Sequence, residues 1–259
     1  MSTNPDTLFD SGTHKVLLFT DMVTGEGGVQ CNQLIIYHDH HAALFDPGGQ
    51  LTFQPLQIAI TEICPIRELD YVIASHQDPD IISSLDRWLM YSSARILISC
   101  LWERFLPHLV PDYKSENGVS RIVGIPDQGM DIQLGDSVIK ALPAHFLHSA
   151  GNFSFYDPVS KILFSGDVGA SMPEVDHAKP VDDFASHISS MQGFHQRYMG
   201  SNQACRLWVN MVRELDLEMI VPQHGRYFVG KAMIARFLDW LSELKCGIDL
   251  IDQSNYQLP

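Results

Sequence analysis

The chain is short of basic residues. Lysine and arginine together number 17 against 31 aspartates and glutamates, a net charge of −14 over 259 residues. Binding a nucleic-acid backbone needs a basic face, so this balance excludes it. It also argues against adsorption to anionic lipid, and no membrane partner is expected. Long apolar runs are missing too, since no stretch approaches the roughly 20 residues that span a bilayer. Met1-Ser2-Thr3-Asn4-Pro5-Asp6 carries neither a basic region nor an apolar h-region. No secretory signal is read there, and a cytoplasmic location is expected. Cysteine is scarce: five residues, at 31, 64, 100, 205 and 246, odd in number and without C-x-x-C spacing. They read as reduced thiols, with neither a structural disulfide nor a cysteine-held metal. Gly25-Glu26-Gly27-Gly28 lacks the lysine of a phosphate loop and does not fit G-x-G-x-x-G, so it reads as a flexible turn. A G-x-S-x-G elbow is absent, which removes the usual signal for a serine nucleophile.

What is present is an ordinary globular composition, 45% hydrophobic and 19% charged. Apolar runs at 16–20, 32–37, 42–46, 69–74 and 95–99 predict strands in the first half. Helices are expected at 53–64, 81–91 and 101–110. Asp46-Pro47-Gly48-Gly49 is a strong turn signal. The second half starts again with strands near 120–124, 130–134, 137–143, 152–157 and 161–165. Helices at 184–199 and 202–216, a strand at 219–221 and a helix at 229–245 complete it. Strands with interspersed helices, met twice, predict an α/β fold of two face-to-face sheets with helices outside, an αββα sandwich. No linker or low-complexity tract interrupts it, so residues 1–259 are expected to be one domain.

The chemistry gathers at the ends of the apolar runs. Ser75-His76-Gln77-Asp78-Pro79-Asp80 follows the strand at 69–74, placing three metal-ligand types at alternate positions. One imidazole and two carboxylates are part of a metal site; the rest must come from elsewhere. His148, Asp167 in Phe164-Ser165-Gly166-Asp167, and His224 in Pro222-Gln223-His224-Gly225 each follow another apolar run. Side chains at several strand ends can converge above a sheet. Three histidines and three aspartates suffice for two metal ions sharing one carboxylate.

These motifs resemble the metallo-β-lactamase superfamily, and more closely the diiron domain of flavodiiron proteins and the stand-alone oxygen-binding diiron proteins related to them. The hydrolases carry H-x-H-x-D-H and the flavodiiron branch H-x-E-x-D-H-S-G-S-L; here the segment reads His76-Gln77-Asp78-Pro79-Asp80-Ile81-Ile82-Ser83-Ser84-Leu85. The later motifs follow in order, and Asn32-Gln33 and Asp46-Pro47-Gly48 fit the superfamily's first strands. The resemblance implies a metallo-β-lactamase-like sandwich with His76, Asp78 and His148 on a first iron. Asp80 and His224 would hold a second, and Asp167 would bridge them. Two departures stand out. The family's Glu is Asp78 here, one methylene shorter, and its following His is Ile81, which cannot ligate. His145 is the nearest substitute for the missing nitrogen.

A carboxylate at Asp78 makes the donor set harder than three imidazoles, favouring iron or manganese over zinc, although zinc tolerates carboxylates. Two ferrous ions with an open position can bind O2, with NO a close variant. No FMN domain is read in this chain. Binding and reporting O2, or slow turnover with an external donor, is therefore expected, and a signalling or redox partner with it. A homodimer is left open. The rival is a binuclear hydrolase acting on a thioester, lactone or phosphodiester; Asp78 and Ile81 argue against it. The other histidines, 14, 38, 40, 41, 108, 177, 187 and 195, need no metal explanation. Tyr37-His38-Asp39-His40-His41 reads as an exposed hairpin, and His195, Arg197 and Tyr198 as packing and solvated face, with Tyr198 within reach of the site.

Overall fold

The computed structural model describes residues 4–23, 27–111, 118–172 and 179–258. The Met1-Ser2-Thr3 start, the Gly25-Glu26 part of the glycine stretch, and His177 lie outside the described residues.

Alternation along the strands explains the layers. In β2 (His14–Phe19), Val16 and Leu18 point one way and Leu17 and Phe19 the other; in β4 (His41–Phe45) Ala43 and Phe45 oppose Ala42 and Leu44. Both faces are apolar, so the sheet must be covered on both sides. β1 (Asp6–Asp10), β2, β3 (Gln33–His38), β4, β5 (Leu69–Ile73), β6 (Arg95–Ser99) and β7 (Ile122–Ile125) form a seven-stranded sheet in chain order. Its first four strands are antiparallel, and β4 through β7 are parallel. The second sheet has six strands. In space its order runs from β13 (Phe228–Val229) through β12 (Met219–Val221), β11 (Ile162–Phe164), β10 (Phe153–Asp157) and β9 (Ser137–Pro143) to β8 (Met130–Leu134). Here β11 and β12 run parallel.

Three cores result. Phe45, Phe153, Phe155 and Phe164 fill the space between the sheets. Helix α1 (Phe53–Thr61), the short α2 (Pro79–Ile82) and α3 (Leu85–Tyr91) cover the outer face of the first sheet. Helices α5 (Phe184–Tyr198), α6 (Asn202–Val212) and α7 (Lys231–Glu243) cover the second. Asp183 and Ser201 cap α5 and α6 by accepting from their first free N–H groups. The arrangement is the αββα sandwich of the metallo-β-lactamase type.

Several elements differ from expectation. Residues 81–91 do not form one helix. Ser83 gives its hydroxyl to the Pro79 carbonyl and Ser84 to that of Gly48, so α2 ends and α3 begins anew. The helix expected over 101–110 is one turn, α4 (Cys100–Glu103), and then a separate 3-10 turn at Leu106–His108, where Pro107 supplies no N–H. Strand β1 was not anticipated, being mostly exposed at an edge with no apolar alternation. The last helix starts later than 229, because Phe228–Val229 pairs as β13 and Gly230 turns at a φ of 84°. The histidine-rich hairpin is a two-residue turn at Asp39 and His40, both at positive φ. His38 is half-buried, not a surface residue: it meets buried His14, whose other nitrogen lies 2.9 Å from Asp157.

Candidate metal centre

Three parallel strands end three residues before a ligand-type side chain. His76 follows Ile73 of β5, Asp167 follows Phe164 of β11, and His224 follows Val221 of β12. Equal overhangs on strands of two facing sheets bring these side chains to one rim of the sandwich. His148 enters from the β9–β10 connection. Asp78 sits at the N-cap of α2 without spending its carboxylate on the cap, and Asp80 lies in the first turn.

Asp167 faces two groups at once. Its Oδ2 lies 3.6 Å from His76 Nε2 and 3.1 Å from His148 Nε2, while its Oδ1 lies 3.7 Å from His224 Nε2. Asp78 Oδ2 completes the first group, 3.7 Å from His76 Nε2 and 3.2 Å from His148 Nε2. Asp80 Oδ2 completes the second, 3.3 Å from His224 Nε2. The structure thus brings together all six residues singled out in the sequence. Donor atoms of His76, Asp78 and His148 lie within 4.8 Å of one another. The side chain of Asp167 is 4% exposed, against 34% for Asp78 and 36% for Asp80. The central carboxylate is therefore dry, and the two flanking ones open to solvent.

Neighbouring groups select which imidazole nitrogens point inward. Ser75 donates its hydroxyl to Asp46 Oδ2 at 2.7 Å, so its oxygen accepts from His76 Nδ1 at 2.9 Å and leaves Nε2 free. His224 donates Nδ1–H to the Gln30 carbonyl at 2.8 Å, again leaving Nε2. Gln223 donates its amide to Asp80 Oδ2 at 3.1 Å. Buried His195 accepts from the Gly169 N–H at 2.9 Å and donates to the Met191 carbonyl, fixing the turn after Asp167. Asp46, Gln223 and His195 are supports that sequence reading missed. The signal for Asp46 was available: it too stands directly after a strand, where it was read as a turn residue.

Charge at the rim is arranged for cations. Burial opposes protonation of His148 and His224, but the carboxylates of Asp167 and Asp78 push His148 up to about 10, and Asp80 and Asp167 push His224 up to about 9. Burial also opposes ionisation of Asp78 and Asp167, yet the facing imidazoles hold both below the usual carboxylate range. Protons thus hold the place of positive charge, and a metal ion would displace them. Two atoms test whether the residues fit such ions. His148 Nε2 and Asp167 Oδ1 are buried, and neither has a hydrogen-bond partner, although carboxylate or imidazole atoms lie near each. Buried nitrogen and oxygen atoms without a partner, turned to a shared space, suit metal ligation once the imidazole has given up its proton.

Two expected neighbours sit elsewhere. His145, considered as a substitute nitrogen, has its Nε2 2.8 Å from the Asp127 carbonyl and its ring against Phe153. Ile81 is fully buried in the core with Leu85 and Trp88, under α2 and α3. Half-exposed Tyr198 stacks on Phe194 and sets its ring edge-on to His148, with centroids 5.6 Å apart.

A family model described as ODP family beta lactamase matches residues 29–225. The chain belongs to that family. Among solved structures it is similar to the peroxy diiron species of chemotaxis sensor ODP, with 39% identity and a TM-score of 0.85, covering 98% of this chain and 100% of that one. The apo state of chemotaxis sensor ODP from T. denticola gives 38% identity and a TM-score of 0.84, covering 98% and 99%. A flavodiiron protein from Thermotoga maritima matches at 18% identity and a TM-score of 0.72, covering 92% of this chain and 60% of that one, which bears on the fold alone. An uncharacterized protein of Methanocaldococcus jannaschii is 26% identical over 203 residues, 72% of this chain. The chain spans about half the length of that curated relative, covering 46% of it. No helix among the described residues is long and apolar enough to cross a membrane.

Proposed function

We propose that this ODP-family chain holds two iron ions and binds dioxygen as a cytoplasmic sensor. His76, Asp78 and His148 would hold one ion, Asp80 and His224 the other, and Asp167 both. The observation that carries the reading is Asp167, a buried carboxylate with one oxygen toward each group of ligand types. A carboxylate shared between the two groups would offset the repulsion of two like charges. The ferrous pair, when bound, supplies the two electrons that O2 takes on binding. The chain's own part is to orient Nε2 of His76 and His224 through Ser75 and Gln30 and to keep the bridge dry. Carboxylate-rich, sulfur-free ligation favours iron or manganese over zinc. The similarity at 39% identity to a chemotaxis sensor ODP supports a signalling role with a protein partner. Oxygen is preferred to NO on the same ground.

Metal analysis joined to an anaerobic absorption spectrum, before and after O2, tests this. Two irons per chain and a visible band that develops on O2 are expected. Zinc alone, no spectral response and cleavage of a thioester or phosphodiester would overturn it in favour of a hydrolase.

A further inference from the structure

Cys205 and Cys246 were read as unrelated core thiols, 41 residues apart. The fold brings them together. Cys205, in α6, and Cys246, just after α7, are both buried, with sulfurs 3.8 Å apart. Cys246 precedes a 3-10 turn, Gly247–Leu250: its carbonyl accepts from the Asp249 N–H at 3.0 Å, and its own N–H donates to the Asp249 carboxylate at 3.2 Å. The Cys205 S–H hydrogen bond holds the Cys246 thiol below its ordinary range, against burial and the Asp249 charge. The sequence neighbours of the pair, Arg206 and Lys245, line a cavity of about 490 Å³ together with Glu243 and Asp249.

The turn is also wired to the rim. Ile248 N–H donates to the Gly200 carbonyl at 3.0 Å, and Gly200 N–H donates to the Phe146 carbonyl at 2.8 Å. Phe146 lies two residues before His148. Gly247, at a φ of 51°, packs so closely on the Met199 and Gly200 carbonyls that a Cβ would not fit. A disulfide needs its sulfurs about 2.0 Å apart. Closing the gap turns the two side chains and draws on the backbone that carries them, and any shift of the turn is passed through Gly200 to the Phe146 carbonyl and the His148 loop.

We propose that Cys205 and Cys246 are a dithiol that hydrogen peroxide converts to a disulfide, and that this closure is felt at His148. The Cys246 thiolate attacks one peroxide oxygen; the O–O bond breaks, a sulfenic acid forms, and the departing oxygen leaves as water with the thiol's proton. Cys205 sulfur then attacks the sulfenic sulfur, the S–S bond forms, the S–O bond breaks, and a second water leaves. Two thiols are oxidised by two electrons and one peroxide is reduced to two waters. The link to His148 rests on the metal-site reading above; the dithiol does not.

The full chain, without metal, is treated with hydrogen peroxide, alkylated and peptide-mapped. A Cys205–Cys246 cross-link that accounts for the loss of two hydrogens and is reversed by dithiothreitol is expected; Cys205→Ser should not lose them. Two intact thiols beside an oxidised Cys100, which is exposed, would overturn the proposal. Oxidised and reduced chains are then titrated with Co²⁺, read by its visible bands. Several-fold weaker binding by the oxidised form is expected, and equal binding overturns the link to His148. Binding by neither form overturns the metal-site reading while the cross-link stands.

Discussion

The two halves of the candidate centre are built from one rim, but unequally. Around His148, two imidazoles and a carboxylate crowd within a few ångströms, two of them from loops that carry no strand pairing. Around His224, one imidazole meets one carboxylate, and the residue that follows Asp80 is turned away into the core. What joins the two groups is Asp167, in the turn three residues beyond Phe164 of the inner strand β11. The contrast predicts a tight first half, a looser second, and a shared dependence on the bridge.

Breaking the bridge should have the largest effect. Asp167→Asn keeps the shape but removes the charge that both halves face. Neither ion should then survive gel filtration, with the circular dichroism spectrum unchanged. One metal retained per chain would mean that the halves bind independently.

A third histidine sharpens the comparison. His195 is as buried as the rim histidines but faces backbone groups, not a carboxylate, and burial lowers it from 6.5 to about 4. The unfolded chain therefore takes up a proton at this residue near pH 6.5, and the folded chain only near pH 4. Its contribution to stability is full above pH 6.5 and falls as pH drops toward 4, by roughly 1.4 kcal/mol per unit. Urea unfolding across that window should show this slope in the wild type and a shallower one in His195→Gln. Equal slopes would mean that His195 is not held neutral.

Ile81 tests whether the second half could be completed. Restoring the histidine that the flavodiiron motif carries there would place an imidazole among Leu85 and Trp88. Ile81→His should cost roughly 2 kcal/mol of stability by burying an unpaired polar ring, and should leave the metal content unchanged. Tighter binding of a second ion, with little loss of stability, would show that the helix can turn.

The sequence carried the layers because the apolar character of β2, β4, β5 and β11 is local, and strands apolar on both faces must be covered on both sides. It carried the six rim residues because each follows a recognisable apolar run. It could not carry Ile81's burial, the Ser83–Ser84 break or the Cys205–Cys246 approach. Each of these depends on partners far away in the chain: Ser84 needs the Gly48 carbonyl, and Cys205 needs a turn 41 residues on. Asp46 was legible as a turn, but its task of steering His76 through Ser75 depends on the pairing of β4 with β5.

The smallest expected effect lies at Gln223, and it separates the halves most cleanly. This side chain is 1% exposed; its amide N–H donates to Asp80, and its Oε1 is buried without a hydrogen-bond partner. Asp78, besides the imidazoles it faces, receives the amide of half-buried Gln77 at 3.3 Å, and among the described residues no fully buried amide donates to it. Gln223→Ala should free Asp80 to swing in the cleft and weaken one of two ions by about tenfold, the usual cost of losing an outer hydrogen bond to a ligand. Gln223→Glu should weaken it further, because a carboxylate would then face Asp80. A stepwise Co²⁺ titration reads this directly, the first equivalent binding as in the wild type and the second more weakly. Equal weakening of both steps would mean that Gln223 acts through Asp167, and the two halves would be less separate than their geometry implies.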